Sequence, residues 1–376
     1  MQNLIQTVFD LNQTSYWYPL IWVLGMGLLL NPMPKVALRI NGSYHKRWYW
    51  ITAILFVFPL ILWAGFRQDF IDTYAYIQSF KKSSSALADI PKLIAEDSKD
   101  VGFYSLIVIL KAMGIKTYTG FFLVLATFQM LCVVYFFRKY SQNFWVSIFL
   151  FVVSTDYLSW MHNTVRQFTA VGILLLAFDL LVERRYKLFT LVVLMASTIH
   201  GSALMMLPIA YVIRGTALNR KTLLAIIVAV LVIPFADRIM PFLSDMLSET
   251  QYDDVTSNEI WMSDDGTSLL RVLVYSVPAL VALLGKKYIR SSEDVVINMC
   301  VNATIVTMAL YLVSAVTSGI YIGRLPIYTT LHGYVAFPWM IDRIFEKQTV
   351  KLIYVLMVAF YMLFFYYQVG LAWDLL

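Results

Sequence analysis

Five charged or titratable side chains stand at the ends of long apolar stretches of this sequence: Arg67, Arg166, His200, Arg271 and Arg324. An ionisable group at membrane depth is costly and is retained mainly where it serves a site. A guanidinium pairs with a phosphate group through parallel hydrogen bonds. Because the topology derived below places all five on one side of a membrane, we expect a site there for an anionic, phosphate-bearing substrate.

Two of the arginines stand where a helix is predicted to begin. Arg166 opens its helix, and the first backbone N–H groups of a helix attract phosphate. Arg324 lies between Gly323, which allows close approach of a ligand, and Pro326, which suits a first helical turn. Arg271 is placed similarly but has no such neighbours. The alternative is an arginine that reaches from a helix end to the interface, and this alternative carries more weight for Arg271.

Acidic and aromatic residues follow Arg67. Asp69, Asp72 and Tyr76 are three and four residues apart, which places them on one face if this segment is helical. A carboxylate on that face is a candidate base. The alternative is a solvated surface helix with ion pairs.

His200 lies between two predicted helices. Imidazole can take a proton near neutral pH, so His200 is a candidate general base, or alternatively a structural histidine at a helix turn. The sequence contains no His-x-x-x-His, no cysteine pair with ligand spacing and no Asp-x-Asp at an outer helix end. We therefore expect neither a metal nor a cofactor.

The chain is far more apolar than a soluble protein. Hydrophobic residues make up 60% of its 376 residues, and the mean hydropathy is +0.70. Backbone groups in hydrocarbon must be hydrogen-bonded within their own segment, and the apolar stretches are continuous, so helices are predicted and not a barrel. The expected fold is an all-α polytopic membrane protein. The net charge of +6 is scattered over short loops, which does not favour nucleic-acid binding.

Twelve membrane-spanning helices are predicted from the lengths of the apolar stretches. They cover 17–31, 48–65, 119–137, 144–158, 165–182, 188–200, 202–213, 222–235, 269–285, 296–316, 322–341 and 352–371. The short stretches 188–200 and 202–213 are expected to be half-helices that meet at the break between His200 and Gly201.

Basic residues in the loops set the expected orientation. Six basic clusters lie in every second loop between the predicted spans, so all six fall on the same side of the membrane. The positive-inside rule makes that side cytoplasmic. We therefore expect a bacterial inner-membrane protein whose termini and candidate site face the periplasm. The clusters are Lys35/Arg39/Lys46/Arg47, Arg138/Lys139, Arg184/Arg185/Lys187, Arg214/Arg220/Lys221, Lys286/Lys287/Arg290 and Arg343/Lys347/Lys351.

Two longer segments are expected on the outer side. Residues 66–118 contain two amphipathic stretches, 72–82 and 86–97, predicted to lie at the interface, and an apolar stretch, 102–115, predicted to be re-entrant or interfacial. Residues 236–268 form an acidic periplasmic loop, either a lid that contacts glycan or a solvated connection. The whole chain, 1–376, is expected to form a single integral membrane domain.

These motifs, taken in order, resemble one family. The set is similar to the EpsG-like branch of the Wzy polysaccharide polymerases, over residues 60–340. Its motifs here are Arg67 with Asp72 and Tyr76, Lys99-Asp100-Val101-Gly102-Phe103, Arg166-Gln167, Ala196 through His200-Gly201-Ser202-Ala203-Leu204 with Pro208, and Gly323-Arg324-Leu325-Pro326-Ile327-Tyr328.

The resemblance implies a GT-C-like glycosyltransferase that transfers glycan from undecaprenyl diphosphate onto another lipid-linked repeat unit in the periplasm. The partners it implies are this donor and acceptor, membrane lipid and a chain-length regulator protein, with no nucleic acid. His200 or Asp72 would be the base, and Arg166 would assist catalysis without a metal. The residues expected at the diphosphate are Arg67, Arg166, Arg271 and Arg324. Those expected at the glycan are Tyr76, Gln167 and Tyr328.

Two other functions stay open at this point. An O-antigen ligase has similar chemistry and architecture but transfers glycan to lipid A–core, and a large periplasmic loop between late spans would favour it. A flippase for lipid-linked oligosaccharide, or another transporter, should show an internal repeat and charges in the middle of the bundle. The charges here collect at one face and no repeat is visible, which favours the polymerase.

Overall fold

A computed structural model of the protein describes residues 16–40, 43–67, 71–95, 100–235 and 266–373. The chain divides into two compact units, one formed by residues 1–203 with 354–376 and the other by residues 204–353. Both units are mainly helical.

The described part of the first unit contains, in chain order, α1 (Trp17–Leu30), β1 (Lys35–Ile40), β2 (Ser43–Trp48), α2 (Trp50–Gly65), α3 (Thr73–Lys82), a 3-10 turn (Leu87–Asp89), α4 (Ile90–Ala95), α5 (Val101–Ala112), α6 (Tyr118–Tyr140), α7 (Phe144–Val153), α8 (Asp156–Leu158), a π-helical turn (Ser159–Asn163), α9 (Val165–Val182) and α10 (Tyr186–Ile199). A 3-10 turn (Gly201–Met205) leads into the second unit, which contains α11 (Met206–Ile213), α12 (Arg220–Val232), a 3-10 turn (Ile233–Phe235), α13 (Leu269–Leu284), α14 (Lys286–Ile289), α15 (Val295–Ser314), a 3-10 turn (Ile322–Arg324) and α16 (Ile327–Ile344). The last helix, α17 (Lys347–Tyr366), ends in a π-helical turn (Tyr367–Ala372).

The apolar helices lie where hydropathy places them. The predicted spans 165–182 and 269–285, for example, are α9 and α13. Four described helices are long and apolar enough to cross a membrane alone, and a bent pair is a fifth candidate. Six other apolar helices have 10–17 residues, fewer than the roughly 20 that a bilayer requires. A polytopic helical membrane protein is therefore confirmed in outline, whereas twelve spans are not.

The bent pair replaces the predicted span 144–158. The axes of α7 and of the helical residues 156–163 meet at 72°. Thr155 at the break has a left-handed backbone with φ 69°, and the Ser154 hydroxyl donates to the buried Asp156 carboxylate at 3.1 Å. The π-helical turn then ends immediately before α9. The bend therefore sets where α9 starts, and α9 carries Arg166.

The expectation of an all-α fold is wrong for residues 35–40 and 43–48. They form an antiparallel hairpin in which Lys35 pairs with Trp48 and Leu38 with His45. The sequence does carry the signal, since Asn41-Gly42 is a dipeptide typical of two-residue hairpin connections. The basic residues of this stretch predict its side of the membrane and were interpreted as part of a loop. Charge does not determine whether a loop contains strands.

Helices form in the segment 66–118 as expected. α3 and the 3-10 turn with α4 match the stretches 72–82 and 86–97, and α5 matches 102–115. The buried rings of Tyr76 and Phe80 in α3 join Phe103 of α5 and Phe121 of α6 in one aromatic core. This shared core fixes the segment, including the first turn of α5, against the end of α6.

The second unit is built around α15, most of which is buried. The Asn302 amide donates to the carbonyls of Ile213 and Thr216 at 2.9 and 3.0 Å and accepts from the backbone N–H of Leu218 at 2.8 Å. One buried side chain thus satisfies three backbone groups of the loop between α11 and α12. The predicted acidic loop 236–268 lies almost entirely outside the described residues, which resume at Gly266.

Candidate functional site

A buried aspartate joins Arg166 to His200. Nη1 of Arg166 donates to Oδ2 of Asp100 at 2.8 Å, and Nδ1 of His200 lies 3.6 Å from the same oxygen. The Asp100 side chain is 5% exposed, whereas the side chains of His200 and Arg166 are 17% and 36% exposed. A shielded carboxylate therefore holds together a cation and an imidazole that a substrate can still reach.

Three helix ends meet at this cluster. Asp100 precedes α5 and has a left-handed backbone with φ 56°. Arg166 is the second residue of α9, and His200 takes an extended backbone directly after α10. The unpaired N–H groups in the first turns of α5 and α9 carry partial positive charge. The cluster therefore suits an anion that is larger than one carboxylate.

Close packing of α5 on α10 produces the contact between Asp100 and His200. A Cβ atom added to Gly102 would lie 2.3 Å from Oγ1 of Thr198 and 2.8 Å from its carbonyl carbon. Glycine is the residue that permits such an approach of two backbones. Asp100 stands two residues before Gly102, and His200 stands two residues after Thr198. The missing side chain therefore allows the carboxylate to reach the imidazole.

Tyr76 contacts Arg166 from the other side. The guanidinium carbon lies 5.9 Å from the centroid of the Tyr76 ring, within the range of a cation–π contact. Arg166 also hydrogen-bonds to the Tyr76 hydroxyl. Burial raises the pKa of Tyr76, so the phenol stays protonated at neutral pH. Arg166 is therefore held between a carboxylate and a phenol.

The structure also places Gln167 and Asp72 near this cluster. Nε2 of Gln167 donates to the Ser202 hydroxyl at 3.2 Å and so joins α9 to the turn that follows His200. Asp72 stands directly before α3, and its backbone N–H donates to the Asn163 side chain at 3.3 Å. Asp72 interacts electrostatically with Tyr76. Asp69, which was expected on the same face, lies outside the described residues.

Arg67 is buried beside the bent segment. Its Nε donates to the Ala64 carbonyl at 2.7 Å and its Nη1 to the His162 carbonyl at 3.0 Å. The guanidinium also lies over the Phe122 ring, 4.2 Å from its centroid. Burial lowers the pKa of Arg67 to about 10, so the side chain is still a cation at neutral pH. These contacts tie α2 to the turn that precedes α9.

Three predicted site residues belong to the second unit. Arg324 is exposed on its 3-10 turn, next to Gly323. A Cβ atom added to Gly323 would lie 2.7 Å from the Thr267 hydroxyl and 2.9 Å from the Ser314 hydroxyl, so this turn packs tightly on its neighbours. Tyr328 is buried in the first turn of α16. The guanidinium carbon of Arg271, in α13, lies 5.5 Å from the ring centroid of Tyr275.

A sequence model of one family covers nearly all of this framework. This is the model of the EpsG family, which matches residues 50–372. The chain belongs to the EpsG family. Neither a curated protein nor a solved structure matches it. Membership in the EpsG family indicates a membrane protein of the polysaccharide-polymerase type. The resemblance drawn from the ordered motifs is thereby confirmed at the level of the family.

Asp100 is the site residue that we did not assign from the sequence of this EpsG-family chain. It stood in one of the quoted motifs, Lys99 to Phe103, but nothing in that motif alone tells a helix cap from a functional carboxylate. Its partners are 66 and 100 residues away in sequence. The signal in the sequence was an aspartate directly before a short apolar stretch whose second residue is glycine. Lys99 lies outside the described residues.

The donor set of this EpsG-family site does not favour a metal ion. Among the described residues no three histidine, cysteine, aspartate or glutamate side chains come together. The carboxylate nearest the imidazole already accepts a hydrogen bond from Arg166, and an arginine at that position repels a divalent cation. The residues present suit an anionic ligand better.

Replacing Gly102 by alanine is expected to separate Asp100 from His200. The added methyl group meets the Thr198 backbone, which cannot rotate away, and overpacking of this kind costs about 1–3 kcal/mol. We expect a lower thermal unfolding temperature of the purified protein together with a loss of polymer. Gly25→Ala is the matched control, because a Cβ atom there meets nothing within 4 Å. Equal behaviour of the two variants would refute this role for Gly102.

Proposed function

We propose that this EpsG-family protein is a polysaccharide polymerase that uses Arg166, Asp100 and His200 at its reacting centre. It transfers a glycan from undecaprenyl diphosphate onto the non-reducing end of another lipid-linked repeat unit. The observation that supports this most directly is the shared contact of Arg166 and His200 with one carboxylate oxygen of Asp100. That arrangement supplies a cation for a leaving diphosphate and a base for an incoming hydroxyl.

In the proposed reaction the acceptor hydroxyl attacks the anomeric carbon of the donor glycan. A bond forms between the acceptor oxygen and that carbon, and the bond from the carbon to the diphosphate oxygen breaks. Nε2 of His200 takes the hydroxyl proton, and undecaprenyl diphosphate leaves with the electron pair. Arg166 stabilises the charge that develops on the diphosphate. A single displacement of this kind inverts the anomeric configuration.

Asp100 has two tasks in this scheme. Its Oδ2 accepts from Arg166, and Nδ1 of His200 has no hydrogen-bond partner among the described residues. A donor diphosphate competes for Arg166. As Arg166 turns to the diphosphate, Oδ2 can accept from Nδ1–H of His200, which leaves Nε2 free to act as the base. Binding of the donor would thus prepare the base.

The geometry also favours His200 over Asp72 as the base. His200 has a carboxylate beside its Nδ1, whereas Asp72 lies near Tyr76 at the start of α3 and has no imidazole or arginine described beside it. Tyr76 and Gln167 are buried beside Arg166, which supports a positioning role for both, and their contact with glycan stays a prediction. Arg67 donates to backbone carbonyls, which supports a positioning role. The assignment of Arg324 and Arg271 to diphosphate and of Tyr328 to glycan rests on the sequence motifs and stays a prediction.

The proposed site faces the periplasm of a bacterial inner membrane. Arg166 lies at the start of α9, and Asp179 near its end contacts Lys139 at 2.5 Å. The helix rise of 1.5 Å per residue separates Arg166 from Asp179 by about 20 Å. The basic clusters 138–139 and 184–187 therefore lie at the end of α9 that is remote from Arg166. The positive-inside rule makes that end cytoplasmic.

Gel profiling of surface glycan tests the proposed function in cells. A deletion strain would be complemented with the wild-type gene, with His200→Ala or with the control Lys92→Ala, an exposed residue of α4. We expect a ladder from the wild type and the control. From His200→Ala we expect only single repeats, at a normal level of membrane protein. Loss of even the single repeat would contradict the polymerase and point to a ligase or a flippase.

A further inference from the structure

The hairpin β1–β2 has two chemically different faces. Alternate residues of a strand point to opposite sides, and the pairing of Ala37 with Lys46 and of Arg39 with Tyr44 puts these residues on one face together with Lys35. All five are exposed. The other face, which carries Val36, Leu38, His45 and Arg47, is buried or half-buried. The outer face therefore presents three cations and an aromatic ring.

Arg47 of the inner face and Trp48 at the base of the hairpin fix the hairpin to the helices of the first unit. Nε of Arg47 donates to the Lys139 carbonyl at 3.1 Å, and Nε of Arg138 donates to the Trp48 carbonyl at 2.6 Å. The Trp48 ring, which shares a strand face with its pair partner Lys35 at the base of the hairpin, is buried and packs on Phe56 and Phe144. The hairpin is therefore held at the end of α6, between the apolar helices α1 and α2, and its outer face has a defined position.

In the part of the chain that the structure describes, no acidic side chain forms an ion pair with this outer face. Residues 31–48 contain no aspartate or glutamate. Among the described residues, none of the three exposed cations forms an ion pair. Partial burial and the neighbouring charge of Lys46 lower the pKa of Lys35, in line with the position of both side chains on one face of the hairpin. An anion bound between Lys35 and Lys46 would relieve that repulsion.

We propose that the outer face of the hairpin, formed by Lys35, Arg39, Lys46 and Tyr44, binds the headgroups of anionic phospholipids. The hairpin connects two apolar helices, so it lies at the level where headgroups begin. Basic clusters directly beside a membrane helix attract anionic lipid, and a tyrosine ring suits the same interfacial layer. An acidic protein is the less suitable occupant, because a face of five side chains is far smaller than a standard protein interface of about 800 Å² per partner.

The proposal concerns the end of the first unit that is remote from Asp100. It does not depend on the polymerase reaction, and a protein with any other activity could bind lipid in this way. In the predicted orientation this end faces the cytoplasm. The bound lipid would hold α1, α2 and α6 at a fixed depth.

Native mass spectrometry of the purified full-length protein tests the proposal. The protein would be titrated with phosphatidylglycerol and, separately, with phosphatidylethanolamine, which carries no net charge. The test variant is Lys35→Gln/Arg39→Gln/Lys46→Gln. The matched control is Lys81→Gln/Lys82→Gln/Lys92→Gln, which removes the same number of exposed charges from α3 and α4.

We expect phosphatidylglycerol to bind the hairpin variant at least about ten-fold more weakly than the wild type or the control. Phosphatidylethanolamine should bind all three proteins alike. Thermal unfolding in detergent should be similar for the two variants, because the exchanged side chains are exposed. Binding of phosphatidylglycerol to the hairpin variant with the affinity of the wild type would overturn the proposal. Equal weakening by both variants would also overturn it, since the effect would then come from net charge and not from this face.

Discussion

Replacement of Arg166 by alanine is expected to reduce polymer formation by about 100- to 1,000-fold, because one well-placed donor to a developing charge contributes that much to catalysis. Arg166 is the exposed cation that Asp100 and Tyr76 hold in place. In the proposed reaction, its removal leaves the diphosphate leaving group without that partner. It also leaves the buried Asp100 carboxylate without its cation. The measurement is the rate of repeat-unit addition by purified protein.

Two further variants make the Arg166 experiment specific. Arg166→Lys keeps the charge but loses the planar donors, and we expect it to retain only part of the activity. Arg185→Ala is the matched control, because Arg185 forms an exposed pair with Glu183 at 3.5 Å on the first unit. A rate for folded Arg166→Ala within a factor of a few of Arg185→Ala would contradict the role given to Arg166.

Asp100→Asn is expected to have an equal or larger effect, about 1,000-fold or more, as found when a carboxylate that orients a catalytic histidine becomes an amide. The amide keeps the shape of the side chain but has no charge to hold Arg166. It can also donate an N–H group to Nδ1 of His200. The imidazole proton then lies on Nε2, which becomes a donor and cannot act as the base. The readout is again the rate of repeat-unit addition.

The Asp100 result needs a test of folding, because Asp100 is buried and paired. Thermal unfolding of the purified variant provides it, and Asp89→Asn is the control, since Asp89 pairs with Lys92 at 3.7 Å on the exposed turn before α4. Exposed pairs of this kind contribute little to stability. A folded Asp100→Asn protein with a normal rate would show that the carboxylate neither orients the base nor positions the cation.

The helical framework was predictable because a bilayer imposes one rule on every span. Long apolar stretches must form helices, so α6, α9, α15 and α17 follow from hydropathy alone. The number of crossings was not predictable in the same way. α5 and α10 are apolar but have only 12 and 14 residues, and their paths depend on packing against other helices and not on composition.

The candidate site was predictable only in part. Arg166 and His200 are conspicuous because each is a polar residue at the end of an apolar stretch. Their contact through Asp100 depends on a left-handed residue before α5 and on a glycine that lets α5 approach α10. Arg67 has the same sequence signature as Arg166, yet it is buried against carbonyls. Sequence position therefore indicates a charge at membrane level but not the atoms that it meets.

In the proposed function, Arg166, Asp100 and His200 of this protein carry out glycan transfer from a lipid diphosphate. The most direct test incubates purified protein in lipid nanodiscs with undecaprenyl-diphosphate-linked repeat units and measures glycan length and released undecaprenyl diphosphate together. We expect the wild type to release one undecaprenyl diphosphate for each linkage formed, and folded Asp100→Asn to form almost none. Polymer formation at the wild-type rate by Asp100→Asn, or no release by the wild type, would contradict the claim.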